Sequence, residues 1–181
     1  MKTLIQNIPC AKTLLITALV VSSFIPPLPH NAFTMSFERR KIEFINWISE
    51  IADTFIGVPY EYGGDFKESG AIDNSHLFYL IYDEAARHAR LRWTGYMQME
   101  ELLAQSIKIS REELRNGDLV FLNSGHAAMV YRFKDPGHFN LIYASKKREE
   151  VISFHCRNTG FEVYWLKNLK GYYRPTDVLL E

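Results

Sequence analysis

Residues 57–85, GVPYEYGGDFKESGAIDNSHLFYLIYDEA, decide how the rest of the chain is read. Gly57 and Pro59 stop a preceding helical pattern, Gly63-Gly64 mark a turn, and Asp73-Asn74-Ser75 open a second apolar helix. A side chain at such a helix start faces unpaired backbone N–H groups and the positive end of the helix dipole. That setting suits a reactive thiolate or a developing oxyanion. The residue in place is Asn74, whose amide nitrogen is delocalised into its carbonyl and has no ionised form near neutral pH. It is not a nucleophile. Asn, Asp and Ser are also favoured helix caps, so D-N-S reads as a helix start.

Working outward, Phe44, Ile45, Ile48, Ile51, Ala52 and Phe55 recur at three- and four-residue steps and predict a helix from Phe37. In the helix after Asn74, Leu77, Phe78, Leu80, Ile81 and Ala85 share a face, and its end is basic (Arg87, His88, Arg90). A short third helix is expected over residues 98–105. Ser110 and Glu113 have capping-box spacing for a brief turn ending at Asn116-Gly117. DLVFL, HAAMVYRF, FNLIYAS and EVISFH then follow as strands, with Asp135-Pro136-Gly137 and the mixed-charge run 146–150 between them. A last extended piece, GYYRP, leads to the C-terminus. Helices followed by an antiparallel meander predict an α+β domain.

Lys+Arg and Asp+Glu both number 21, so no net charge draws the chain to nucleic acid or anionic lipid. The N-terminus differs in kind. Lys2 and Lys12 precede the apolar run LLITALVVSSFI at 14–25 and a Pro-rich stretch at 26–29. Twelve residues are short for a span and fit a secretory signal. Residues 1–34 are therefore assigned to a signal or uncleaved anchor plus linker, and residues 35–181 to one folded domain. The expected location is periplasmic or extracellular, with the membrane met only through that segment. Translation from Met35 would instead give a cytosolic protein. Removal of the signal takes Cys10 with it and leaves Cys156 alone, so no internal disulfide is expected. No Cys/His set has structural-zinc spacing, and neither metal nor cofactor is expected.

Two further residues bear on chemistry. His126 opens a strand after Asn123-Ser124-Gly125 and is the natural general base for a group at position 74, or else a strand-edge histidine bonded locally. Cys156 has His155 beside it, but neighbouring strand residues point to opposite faces, which favours a structural thiol. His76 offers a new functional group near the cleft mouth, but one turn into an amphipathic helix such a residue is more often a surface or packed one. Among the aromatic residues, Tyr60 and Tyr62 are the cleft candidates.

GVPYEYGG (57–64), GAIDNSHL (70–77), GDLVFL (117–122), HAAMVY (126–131) and YAS (143–145) occur in an order that resembles the NlpC-type (p-sixty) cell-wall endopeptidases, papain-like cysteine peptidases. Their blocks read G-x-P-Y-x-W-G-G, G-x-D-C-S-G-L, G-D-L-V-F-F, H-V-G-I-Y and H-A-S. The resemblance implies a papain-like fold, with N-terminal helices on a small antiparallel sheet or half-barrel. It places Asn74 where the family has its cysteine, His76 where it has glycine, and Tyr143 where it has the histidine that orients the base. His126 alone keeps its family identity in the triad. Tyr60, Asp73 and Ser75 correspond to the subsite for the peptidoglycan stem peptide. The implied function is an exported domain that has lost peptidase activity and binds a stem peptide or an envelope protein. The alternative is a hydrolase or acyl transferase using His126 with water or Cys156, and a third reading is a scaffold that regulates an active paralogue.

Overall fold

The computed structural model describes residues 30–181, with side chains from residue 36. The signal or anchor segment and the Pro-rich stretch lie outside the described residues, apart from 30–34. There the helix already runs, since α1 spans His30–Thr54 and so begins ahead of the expected domain start. No helix among the described residues is long and apolar enough to cross a membrane. Three more helices follow: α2 (Phe66–Ser69), α3 (Asn74–His88) and α4 (Met99–Ala104).

The strands are β1 (Ser106–Ile109), β2 (Leu119–Leu122), β3 (Ala127–Asp135), β4 (His138–Ser145), β5 (Glu150–His155) and β6 (Leu169–Pro175). They form one antiparallel six-stranded sheet in the order β1-β6-β2-β3-β4-β5. The fold is the expected α+β class, and β2 to β5 form the expected meander. Two features depart from expectation. The GYYRP piece belongs to β6, which inserts between β1 and β2. The edge strand β1 was not foreseen, because four residues of mixed polarity at an edge carry no clear alternation.

Both faces of the sheet are covered. Leu119, Phe121, Met129, Ile142 and Ala144 pack with Ile48 of α1 and Leu77, Phe78 and Ile81 of α3 in one cluster. Val120, Leu122, Val130 and Leu141 face a second cluster closed by Phe161 and Trp165 of a π-helical turn. This explains why LVFL is apolar at every position, since burial on both faces removes the polar alternation. On α3 the buried face includes Tyr82 and Ala86, whereas Leu80 is only half-buried. Tyr82 tolerates burial because its hydroxyl donates to the Gly117 carbonyl at 2.6 Å. Burial pushes its pKa well up.

Candidate functional site

Residues 57–73 reach α3 through contacts that hold the loop on both sides. The backbone N–H groups of Gly57 and Tyr60 donate to the carbonyls of Val151 and Glu149 at 2.9 and 2.8 Å, adding the loop to the free edge of β5. Across the turn, Ile72 N donates to Pro59 O at 2.9 Å and Glu61 N to Ile72 O at 3.2 Å. Gly63 sits at φ +72°, where a side chain is strained, and a Cβ on Gly64 would meet the Ala71 carbonyl at 3.0 Å. The Gly-Gly pair is thus needed for the loop to fold back onto Ala71 and deliver Asp73 to the helix start.

Asp73, not Asn74, is the N-cap of α3. Its Oδ1 accepts the His76 backbone N–H at 2.9 Å and the Ser75 hydroxyl at 2.7 Å, and lies 3.2 Å from His76 Nδ1. Its Oδ2 accepts the Gly63 N–H at 3.1 Å. Burial raises the carboxyl's pKa, but the hydrogen bonds from His76 and Ser75 outweigh it and hold the pKa below the usual value. Burial, and then the Asp73 charge, push the half-buried Tyr60 hydroxyl up. Ser75 Oγ also lies 3.1 Å from the Tyr96 hydroxyl, and the His76 ring stacks on Tyr96 with centroids 4.2 Å apart. Tyr62 is 89% exposed.

With the cap supplied by Asp73, the Asn74 side chain turns to the sheet. Nδ2 donates to the Ala127 carbonyl at 3.2 Å, and Oδ1 accepts from the Ala144 N–H at 2.6 Å. Leu122 N donates to His126 O and Val130 N to Asp118 O, so the even-numbered residues of β3 aim their backbone polar groups at β2. Those of Ala127 and Met129 therefore aim at β4. The ladder pairs Met129 with Ile142, and the same register sets Ala127 opposite Ala144. The Asn74 carboxamide thus stands in the place of one inter-strand hydrogen bond, where β3 and β4 part. Its donor and its acceptor are both used structurally.

His126 adjoins Ala127, is exposed, and makes no side-chain hydrogen bond among the described residues. The Tyr143 ring packs edge-on against Phe154 and Trp165, with centroids 5.9 and 5.4 Å away, in the second cluster. Cys156 is buried, with its thiol donating to the Gly137 carbonyl at 3.2 Å. No three metal-ligating side chains come together among the described residues. The structure therefore groups Tyr60, Asp73 and Ser75 around the α3 start, puts Asn74 against β3 and β4, and leaves Tyr143 and Cys156 in the second cluster. Sequence reasoning passed over Tyr96 and preferred a surface or packed residue to a functional group at the cleft mouth for His76. No local pattern flags Tyr96, which reaches Ser75 and His76 only through the folded chain.

A family model described as the NlpC/P60 family matches residues 57–174. No curated protein matches the chain. Among solved structures, the chain is similar to an NlpC/P60 family protein from Bacillus cereus ATCC 10987, with 21% identity and a TM-score of 0.53 over 72% of this chain. The match spans only 40% of that protein. The P60 domain of an antigen from M. avium subspecies paratuberculosis is similar over 73% of this chain and 93% of its own, with 16% identity and a TM-score of 0.50. The peptidoglycan hydrolase RipB from Mycobacterium tuberculosis has 17% identity and a TM-score of 0.46, covering 81% of this chain and 67% of that one. At these identities the structural likeness speaks for the fold alone.

Proposed function

The chain belongs to the NlpC/P60 family, and from that premise we propose an exported domain that no longer cleaves peptides and binds one, of the kind found in peptidoglycan stems, beside the start of α3. The observation that carries this reading is the state of Asn74. A nucleophile must be ionisable or activated by a base, and must be free to reach its target. The Asn74 amide is neither ionisable nor free, since both its ends are bonded to backbone. Among the described residues no side chain hydrogen-bonds to His126, and the Tyr143 ring packs against Phe154 and Trp165.

The residues that suit ligand recognition are grouped differently. Asp73 holds a negative charge beside the hydroxyls of Tyr60, Ser75 and Tyr96, an arrangement suited to an ammonium group and a polar peptide backbone. Of the two alternative nucleophiles, water and Cys156, the thiol is buried in the second cluster and offers no route to a peptide bond.

The deciding experiment is an NMR titration of the domain with isolated stem peptides carrying a free N-terminal amine, with the same mixtures followed by chromatography. Saturable shifts at Tyr60, Asp73 and Ser75 without product are expected. Absence of shifts removes the ligand, and release of product removes the claim of lost activity.

A further inference from the structure

At the end of the sheet where β2 begins and β6 ends, a cavity of about 290 Å³ is lined by Lys41, Ile107, Arg115, Arg174, Thr176 and Asp177. Its position follows from the register. Leu119 pairs with Tyr173, which sets Asp118 and Arg174 at the opposite end of β2 from Leu122 and His126. The length of β2, about 13 Å at ~3.3 Å per residue, separates the cavity from the Asn74 surface.

The cations around this cavity differ in whether they have a direct partner. Arg174 forks onto the buried Asp118, with Nε to Oδ1 at 2.8 Å and Nη2 to Oδ2 at 2.7 Å. Lys41 pairs with Asp177. Those two cations are matched by those two carboxylates. Arg115 is left over. Its backbone N–H bonds Asp118 Oδ2 at 2.8 Å, but its half-buried guanidinium makes no hydrogen bond or ion pair among the described residues. Asp118, then Asp177 and Glu38, which is exposed on α1, favour the Arg115 charge without pairing with its guanidinium. Glu113 is engaged with the Ser110 backbone.

We propose that Arg115 holds a carboxylate ligand in this cavity, a site separate from the family's peptide surface. A guanidinium presents its donors in a planar fork that matches a carboxylate. The Arg115 guanidinium has no acceptor of its own among the described residues, so both arms of the fork are available to the two oxygens of a carboxylate. The Thr176 hydroxyl and Lys41 line the same space, and Ile107 provides an apolar wall. The ligand is therefore a carboxylate next to a short alkyl group, carried either by a free small acid or by the C-terminus of a peptide. Burial and the neighbouring Arg174 both weaken the protonated Arg115, which a bound anion relieves.

The test is a titration of the full chain with propionate, N-acetylalanine, N-acetylalanine amide and inorganic phosphate, at constant ionic strength set with chloride, following the Arg115 side-chain Nε resonance by NMR. Saturable movement with the two carboxylates, none with the amide, and loss in Arg115→Gln are expected. Arg115→Lys should bind at least about tenfold more weakly, since an ammonium lacks the fork. N-acetylalanine binding much tighter than propionate identifies a peptide terminus as the source, and equal binding identifies a free acid. Chloride producing the same movement, phosphate binding more tightly than either carboxylate, or Arg115→Gln binding undiminished would overturn the site. If Arg115→Gln does not fold, the wild-type titration decides: a response linear in carboxylate concentration overturns the proposal, and a saturable one supports it.

Discussion

Asn74 Oδ1 accepts the Ala144 N–H at 2.6 Å, so the first residue of α3 is bonded to the end of β4 seventy positions later in the chain. Ala144 is 5% exposed and Ala127 is fully buried, which leaves water little access to the groups that Asn74 satisfies. Asn74→Ala should therefore strand a donor and an acceptor. The expected loss is about 2 kcal/mol, or roughly 4–8 °C in Tm for a domain of this size. Thermal unfolding of the variant checks it. An unchanged Tm would mean that the carboxamide is not a structural tie.

Asn74→Cys separates the frame from its chemistry. A thiol at the first turn of a 15-residue helix gains from the helix dipole, and its pKa should fall below the ordinary value of about 8.5. The rate of iodoacetamide alkylation against pH reads that midpoint directly. Adding His126→Ala should raise the midpoint if the imidazole reaches position 74, and leave it in place if it does not.

The meander β2 to β5, the helix stripes and the capping box at Ser110 were all legible, because each rests on a local period or spacing. What escaped was set by distant partners. Asn74 was expected to help start its helix, but Asp73 takes the cap and frees the carboxamide for a pair of strands that no local pattern places nearby. Leu80 and Tyr82 exchanged roles because a buried tyrosine is favoured only when a carbonyl, here that of Gly117, meets its hydroxyl. The unmatched Arg115 could be recognised only once Asp118 and Asp177 were seen to be taken by other cations.

Cys156 separates the thiol version of the alternative hydrolase from the non-catalytic reading without any substrate. Its side chain lies in the second cluster and the residue is 3% exposed, so in a Cys10→Ser background it should resist a disulfide reagent until the domain unfolds. Full reaction within minutes under native conditions would show that the thiol is accessible after all.

Arg174→Gln tests the buried ion pair at the far end of the sheet. Burial pushes the Asp118 carboxyl up, against the pull of Arg174 and the Arg115 backbone. Removal of the guanidinium leaves a carboxylate that is almost wholly buried, and the expected loss is about 3–5 kcal/mol at neutral pH. The double variant Arg174→Gln/Asp118→Asn should recover part of it. Chemical denaturation of the three proteins gives the coupling, and additive losses would show that the two side chains act independently.

The pH dependence of stability should carry a signature of Asp73. Its carboxyl is depressed in the folded protein because the hydrogen bonds from His76 and Ser75 outweigh the effect of burial. In the unfolded chain it returns to about 3.9. Ionised Asp73 therefore adds stability that is complete above the unfolded value and is lost as pH falls through the lower folded one. Asp73→Asn keeps a cap but removes the charge. The difference in unfolding free energy between wild type and variant should be constant from about pH 5 to 6 and shrink below about pH 4. Urea unfolding in half-unit steps from pH 2.5 to 6 measures it. A difference that widens on acidification would mean that the folded carboxyl titrates above its unfolded value, and that Asp73 is held protonated rather than as the anion on which an ammonium ligand depends.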